Sequence, residues 1–121
     1  LKTDDKASSI SGLELGEEWN SRELWMAPKE IVAPVSTIGA GDTAIAGFLA
    51  SLASSFSPDL ALSVASCTAA KCIESTDRGH SMPKLSAIKL LAESEYSQES
   101  LSIALNGWTR RDMVFYGPSD K

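Results

Sequence analysis

The 121-residue sequence predicts an α/β layered fold, on three observations about its order. Short β-branched or aromatic runs fill the first third, longer stretches of helical period follow, and a glycine-bearing turn joins the two. Folds of this class place ligands at the carboxyl ends of strands, where helix N-termini point.

Ser8, Ser9, Ile10 and Ser11 read as a first strand, with Gly12 in or beside the turn that follows. Leu15 to Ser21 is polar apart from Trp19 and reads as a surface loop. Glu23-Leu24-Trp25-Met26 is a second short strand, ended by Pro28. Ile31, Val32 and Val35 make a third, which Pro34 confines to an edge or a bulge. After the turn Thr37-Ile38-Gly39-Ala40-Gly41-Asp42, the residues Ile45, Phe48, Leu49, Leu52 and Phe56 recur at steps of three and four, on one helical face. Ser57 suits an N-cap and Pro58 a first helical position. From Leu60 to Ile73 the chain is small or apolar on nearly all sides, so this helix is expected to be buried. A loop with Asp77, Arg78 and Gly79 precedes a third helix, begun at Pro83, with Leu85, Ile88, Leu91 and Ala92 on its apolar face. The tail from Tyr96 carries Leu101, Ile103, Leu105, Trp108 and Phe115, too apolar to float free. Residues 1–95 are therefore expected to form the body, and 96–121 an extension packing on it or on a partner.

The composition, 43% hydrophobic and 22% charged, is that of about one globular domain. A net charge of −5 leaves no cationic face to displace phosphate counterions, which argues against nucleic acid as a partner. The apolar runs are far too short to cross a membrane, and no secretory signal follows Leu1, which points to a cytoplasmic protein. The chain begins without Met, which fits either processing or a piece of a longer chain. Cys67 and Cys72, five residues apart on one helix, are too distant for a disulfide. With His80 the single histidine, they match no metal-ligand pattern, and read as small apolar side chains of a reduced protein.

Gly39 and Gly41 flank Ala40 directly before a helix. Small residues there let a ligand approach the main chain, and the unpaired N–H groups of a first helical turn point at it. Asp42 lies in the same turn, placed to accept a hydrogen bond or a proton from a hydroxyl. A carboxylate beside an anion cradle is what phosphoryl transfer to an alcohol requires. On the residues alone, a plain turn with a dipole-favouring Asp fits equally well, and no Gly-Lys-Ser/Thr follows to make a P-loop.

The segment Val35-Ser36-Thr37-Ile38-Gly39-Ala40-Gly41-Asp42-Thr43-Ala44-Ile45-Ala46-Gly47-Phe48-Leu49 resembles the C-terminal signature of the ribokinase-like (PfkB) carbohydrate kinases. Pro58 to Ile73 is similar to the Ala-rich helix that follows that signature, Met82-Pro83 to the start of the short closing helix, and Leu1-Lys2-Thr3 to the strand before the nucleotide loop. The resemblance covers roughly residues 1 to 93; Arg22-Glu23-Leu24-Trp25 and the long tail look closest to a poorly characterised sugar-kinase branch.

The resemblance implies a three-layer α/β/α sandwich, here only its C-terminal part. It implies a phosphotransferase in which Asp42 is the base that deprotonates a sugar hydroxyl and the Gly39, Ala40 and Gly41 amides hold the γ-phosphoryl group. ATP would be the donor, with Mg²⁺ neutralising its phosphates. Thr3, Thr37, Thr43, Ser66 and Gly79 would lie on the nucleotide side. Ser36 stands where the signature has an Asp that helps hold a monovalent cation, which puts that cation in question. Thr3-Asp4-Asp5-Lys6-Ala7 lacks the two glycines of the usual nucleotide loop, and Ser66 replaces an Asn.

Relatives in this family are longer, and the part absent here carries most sugar contacts. The expected partners are therefore a sugar, the missing N-terminal part of the kinase and, through self-association, a homodimer; the chain alone is expected not to turn over. His80, Arg78, Arg110, Arg111 and Asp112 read as solvated loop residues, and Trp19, Trp25 and Trp108 as packing against the sheet or tail. Two alternatives remain: a non-catalytic module binding a small phosphorylated ligand, and a nucleoside kinase.

Overall fold

A computed structural model describes residues 1–10, 12–77, 82–94 and 106–121. Its elements are strand β1 (Leu24–Met26), helices α1 (Ala40–Ala53), α2 (Pro58–Glu74) and α3 (Leu85–Glu93), and strands β2 (Thr109–Arg111) and β3 (Val114–Tyr116). The described strands form one antiparallel sheet in the order β1-β3-β2, so the molecule mixes helices with a small sheet. Leu24 lies opposite Tyr116 and Trp25 opposite Phe115, and those two rings meet edge to face at 5.6 Å. Asp112, at φ 53, makes the tight turn between β2 and β3, a left-handed conformation that Asp tolerates.

α2 is the central element. Ala61, Ser63, Val64, Cys67, Thr68, Ala70 and Cys72 are all buried along it. Val64 and Cys67 pack with Ile88 and Ala92 of α3, while Ala61 joins Trp19 and Ala7 in a second cluster completed by Phe48 and Leu52. α1 meets α2 through small residues: a Cβ on Gly47 would collide with the Thr68 side chain, 2.9 Å from its Cγ2. Ser51 is fully buried beside it and returns its hydroxyl to Gly47 O. That close approach fixes which face of α1 is covered. Ile45 and Leu49, expected on the buried face, are 60% and 56% exposed, because Gly47 and Ser51 occupy the contact instead.

Other expectations also need correction. Residues 7–9 form a 3-10 turn and not a strand, with Ser8 N donating to Asn20 Oδ1. Ile31 to Val35 forms no strand among the described residues: the chain bends at Val32 and Ala33, and Val35 N and Ser36 N donate to Ile73 O at the end of α2. Trp19 is packed as expected, but against α1 and not the sheet or tail: it is buried, meets Phe48 of α1 edge-on and donates from Nε1 to Phe56 O. Ser57 occupies the N-cap of α2 without a side-chain cap bond, and α3 begins at Leu85, two residues after Pro83. Arg78, Gly79 and His80, and the tail residues Leu101, Ile103 and Leu105, lie outside the described residues.

The chain's two ends are tied together far from the glycine turn. Arg22 Nε pairs with Asp120 Oδ1 at 2.9 Å, and the same oxygen accepts from Glu23 N at 2.9 Å. Glu23 in turn accepts from Ser119 N and Lys2 Nζ. Arg22 and Arg111 both lie over the Tyr116 ring. Lys29, 1% exposed, reaches Ser63 Oγ of α2 at 3.4 Å and Met113 Sδ of the hairpin at 3.8 Å. Burial pushes its ammonium below the usual lysine range.

Candidate active site

Residues 37–40 form a β-turn in which Ala40 N donates to Thr37 O at 3.2 Å. Gly39 stands at φ 83, ψ −3, the third position of a type II turn, where a side chain would be strained. α1 starts at once: Thr43 N donates to Gly39 O at 2.9 Å. Asp42, in the first helical turn and exposed, carries its carboxylate at the positive end of the helix dipole.

Three amides here, those of Gly39, Gly41 and Asp42, find no acceptor among the described residues. A Cβ on Gly41 would meet nothing within 4 Å, so the space beside Gly41 is open. They can hold an anion, with the Asp42 carboxylate alongside. The expected trio was Gly39, Ala40 and Gly41. Ala40 differs because its N–H already closes the turn onto Thr37 O, and Asp42 supplies a free donor next to it.

The neighbouring hydroxyls serve the backbone. Thr43 Oγ1 lies 3.0 Å from Gly39 O and 2.9 Å from Ala40 O, so its one proton braces the turn. Ser36 Oγ accepts from Ile38 N at 3.2 Å. Thr37 is exposed and contributes its carbonyl to the turn.

A pocket of about 350 Å³ opens where α2 ends, lined by Lys71, Glu74, Ser75, Thr76, Asp77, Met82 and Pro83. Ile73, between the lining residues Lys71 and Glu74, accepts the two amides of the segment entering the glycine turn, so the end of α2 that lines this pocket also ties that segment, although no residue of the turn itself lines the pocket. Lys71 pairs with Glu74 at 3.6 Å, and Ser75 Oγ donates to Asp77 Oδ1. Ser66 is half-buried on α2, six residues before Cys72. Thr3 is not brought to this site: its hydroxyl binds Trp19 O, and Trp19 binds Phe56 O beyond the far end of α1, a helix about 20 Å long. Gly79 lies outside the described residues.

The pfkB family carbohydrate kinase model matches residues 16–85, more than half of the chain and including the whole turn, α1, α2 and the described part of the pocket. The chain belongs to the pfkB family of carbohydrate kinases. No curated protein and no solved structure matches it. Members of this family are generally ATP-dependent kinases of ribokinase-like fold. Leu1 to Leu15 and the β2–β3 hairpin fall outside the matched region.

The pocket-lining residues were not singled out from sequence as site residues. Asp77 read there only as a loop residue, and Lys71 and Glu74 drew no reading, since a Lys in the last turn suits the dipole whatever its function. The signal that could have found them is position: they follow directly on the helix after the glycine motif. Among the described residues, no group of three or more His, Cys, Asp or Glu could cage a metal ion, and no helix is long and apolar enough to cross a membrane.

Proposed function

We propose that this chain carries the nucleotide side and the base of an ATP-dependent sugar kinase within a ribokinase-like three-layer sandwich. One observation carries this reading: three amides without an acceptor among the described residues and an exposed carboxylate lie together at the start of α1; the pocket of about 350 Å³ at the end of α2 lies on the helix that follows. ATP supplies the phosphoryl group when bound. The amides of Gly39, Gly41 and Asp42 receive its terminal oxygens and stabilise the charge that gathers there during transfer. The Asp42 carboxylate accepts the proton of the attacking sugar hydroxyl. Thr43 holds the turn closed, Thr37 and Ser66 flank the polyphosphate and nucleoside, and the pocket between Lys71 and Pro83 takes the base and ribose. Magnesium would be held chiefly by phosphate oxygens and water, which suits a site with no carboxylate cage among the described residues. Ser36 offers no carboxylate for a monovalent cation, and its hydroxyl is engaged by Ile38 N, so no step uses one.

The sugar side comes from further polypeptide, in line or as a second chain. Val35, Ile38, Ile45 and Leu49, in the turn's entry and along α1, are each more than half exposed and are the apolar residues available to seat it. We place the enzyme in the cytoplasm, with both cysteines free.

The test is sugar-dependent ATP consumption by this chain alone and by the chain with its upstream reading frame restored. The chain alone should show no turnover. In the longer protein, Asp42→Asn should lower kcat by about 10²–10⁴ with ATP affinity nearly unchanged. Turnover that survives Asp42→Asn would defeat the assignment; a longer protein that binds phosphorylated ligands without turnover would be a non-catalytic module.

A further inference from the structure

We infer that Cys72 is a positioning residue for the phosphate cradle; its role rests on the kinase reading above, whereas its geometry does not. The thiol is 2% exposed, near the end of α2. Its Sγ donates to Ile38 O at 3.8 Å and lies 3.8 Å from where a Cβ on Gly39 would stand. One residue further, Ile73 O accepts from Val35 N at 2.8 Å and Ser36 N at 3.2 Å. The chain entering the turn is thus tied to the end of α2 by main-chain bonds, and the turn itself rests on sulfur.

Gly39 has no side chain to anchor it, and its left-handed backbone gives the turn its shape. What lies beneath it therefore sets how far its amide and those of Gly41 and Asp42 project. Sulfur suits this position because it is large and polarisable, and its long, weak hydrogen bond steadies a carbonyl without pulling it inward. Hydrogen bonds to a phosphate weaken steeply with misplacement, so a small settling of the turn reaches the ligand. Cys72 acts through Gly39 and touches neither nucleotide nor sugar.

Cys67 is the internal control. It lies on the same helix, is 1% exposed, and packs with Val64, Ile88 and Ala92 in the cluster with α3. Both Cys→Ala variants remove a buried sulfur, but only one removes it from under the turn.

The experiment measures ATP and ADP affinity by calorimetry, thermal midpoint, and amide exchange at Ala40 and Thr43 in the nucleotide-free chain. The proteins are the wild type, Cys72→Ala, Cys67→Ala and Cys72→Ser. Cys72→Ala should lower the ATP-to-ADP affinity ratio by about five-fold and speed exchange at both amides by about three-fold or more. Cys67→Ala should lower the thermal midpoint at least as much while leaving the ratio and that exchange unchanged. Cys72→Ser, which keeps a donor, should show the Cys72→Ala effects in smaller degree, and it decides the matter if the alanine variant does not fold. Unchanged exchange at Ala40 and Thr43 in both Cys72 variants, or an equal loss for ATP and ADP, would overturn the assignment. If the wild type bound neither nucleotide, the kinase reading would fall, and the exchange rates would still decide the role of Cys72.

Discussion

The glycine turn and the latch joining residues 1–26 to 106–121 are built on opposite plans. At the latch, every polar group named above has a partner: Asp120 accepts from Arg22 and from Glu23 N, Glu23 accepts from Lys2 and Ser119, and guanidinium groups cover Tyr116. At the turn, three main-chain donors and a carboxylate are left open to solvent. A binding site needs donors that the fold has not used, so it contributes little to stability and must be held in place from behind. Here α2 does the holding, through Cys72, Ile73 and the close contact of Thr68 with Gly47. Substitutions at the turn should therefore change binding without changing stability, and substitutions at the latch the reverse.

The Asp42→Asn variant above is the largest expected effect on the functional side and should lower stability by no more than about 1 kcal/mol, the worth of an exposed charge at the helix dipole. Gly47→Val is expected to break the division, because Gly47 lies in the contact that carries the turn. Its side chain would drive into Thr68, lowering stability by about 3 kcal/mol in denaturant unfolding and weakening nucleotide binding as well. Asp120→Ala should cost about 2–3 kcal/mol by leaving the half-buried Arg22 uncompensated, while ATP affinity stays as it was. Gly41→Ala sharpens the contrast from the other side. With nothing within 4 Å of its new methyl, stability should hold or rise by less than about 1 kcal/mol, whereas ATP affinity should fall about ten-fold as the methyl meets the phosphate.

The smallest effect is in acid. Hydrogen bonds from Ser119 and Lys2 hold the Glu23 carboxyl below its ordinary value of 4.5. A lowered carboxylate stabilises the fold above that value and loses its contribution as pH falls through the lower, folded one. A Glu23→Gln variant should thus show a shallower loss of thermal midpoint below pH 4.5 than the wild type, with nucleotide binding at neutral pH unaffected.

The helices were legible in the sequence because their periods are local. Ile88 and Ala92 lie inward on α3 as spacing predicts, and α2 is buried along most of its length. Which side of α1 is covered was legible only in part: Phe48, Leu52 and Phe56 pack on the core as their spacing predicts, but Ile45 and Leu49 do not. An apolar stripe marks a helix, but α2 selected the Gly47–Ser51 side by close approach, leaving Ile45 and Leu49 outside. The strand at Leu24–Met26 was readable from its residues, but its pairing with Val114–Tyr116 depends on contacts across nearly the whole chain. Ile31 to Val35 carries strand-forming residues, yet the amides of Val35 and Ser36 go to the end of a helix, and no local pattern encodes that. The glycine motif located the turn. Which of its amides remain free follows from the Thr37–Ala40 bond, a conformational detail invisible in the letters.

The central claim is that the amides opening α1 receive phosphate beside Asp42, and amide resonances report this most directly. On titrating the chain with ATP and Mg²⁺, the Gly39, Gly41 and Asp42 N–H signals should shift together and far more than with AMP, while Ala40, bound to Thr37 O, shifts less. Saturable ATP binding that leaves those three signals in place, or moves them no more than AMP does, would contradict it.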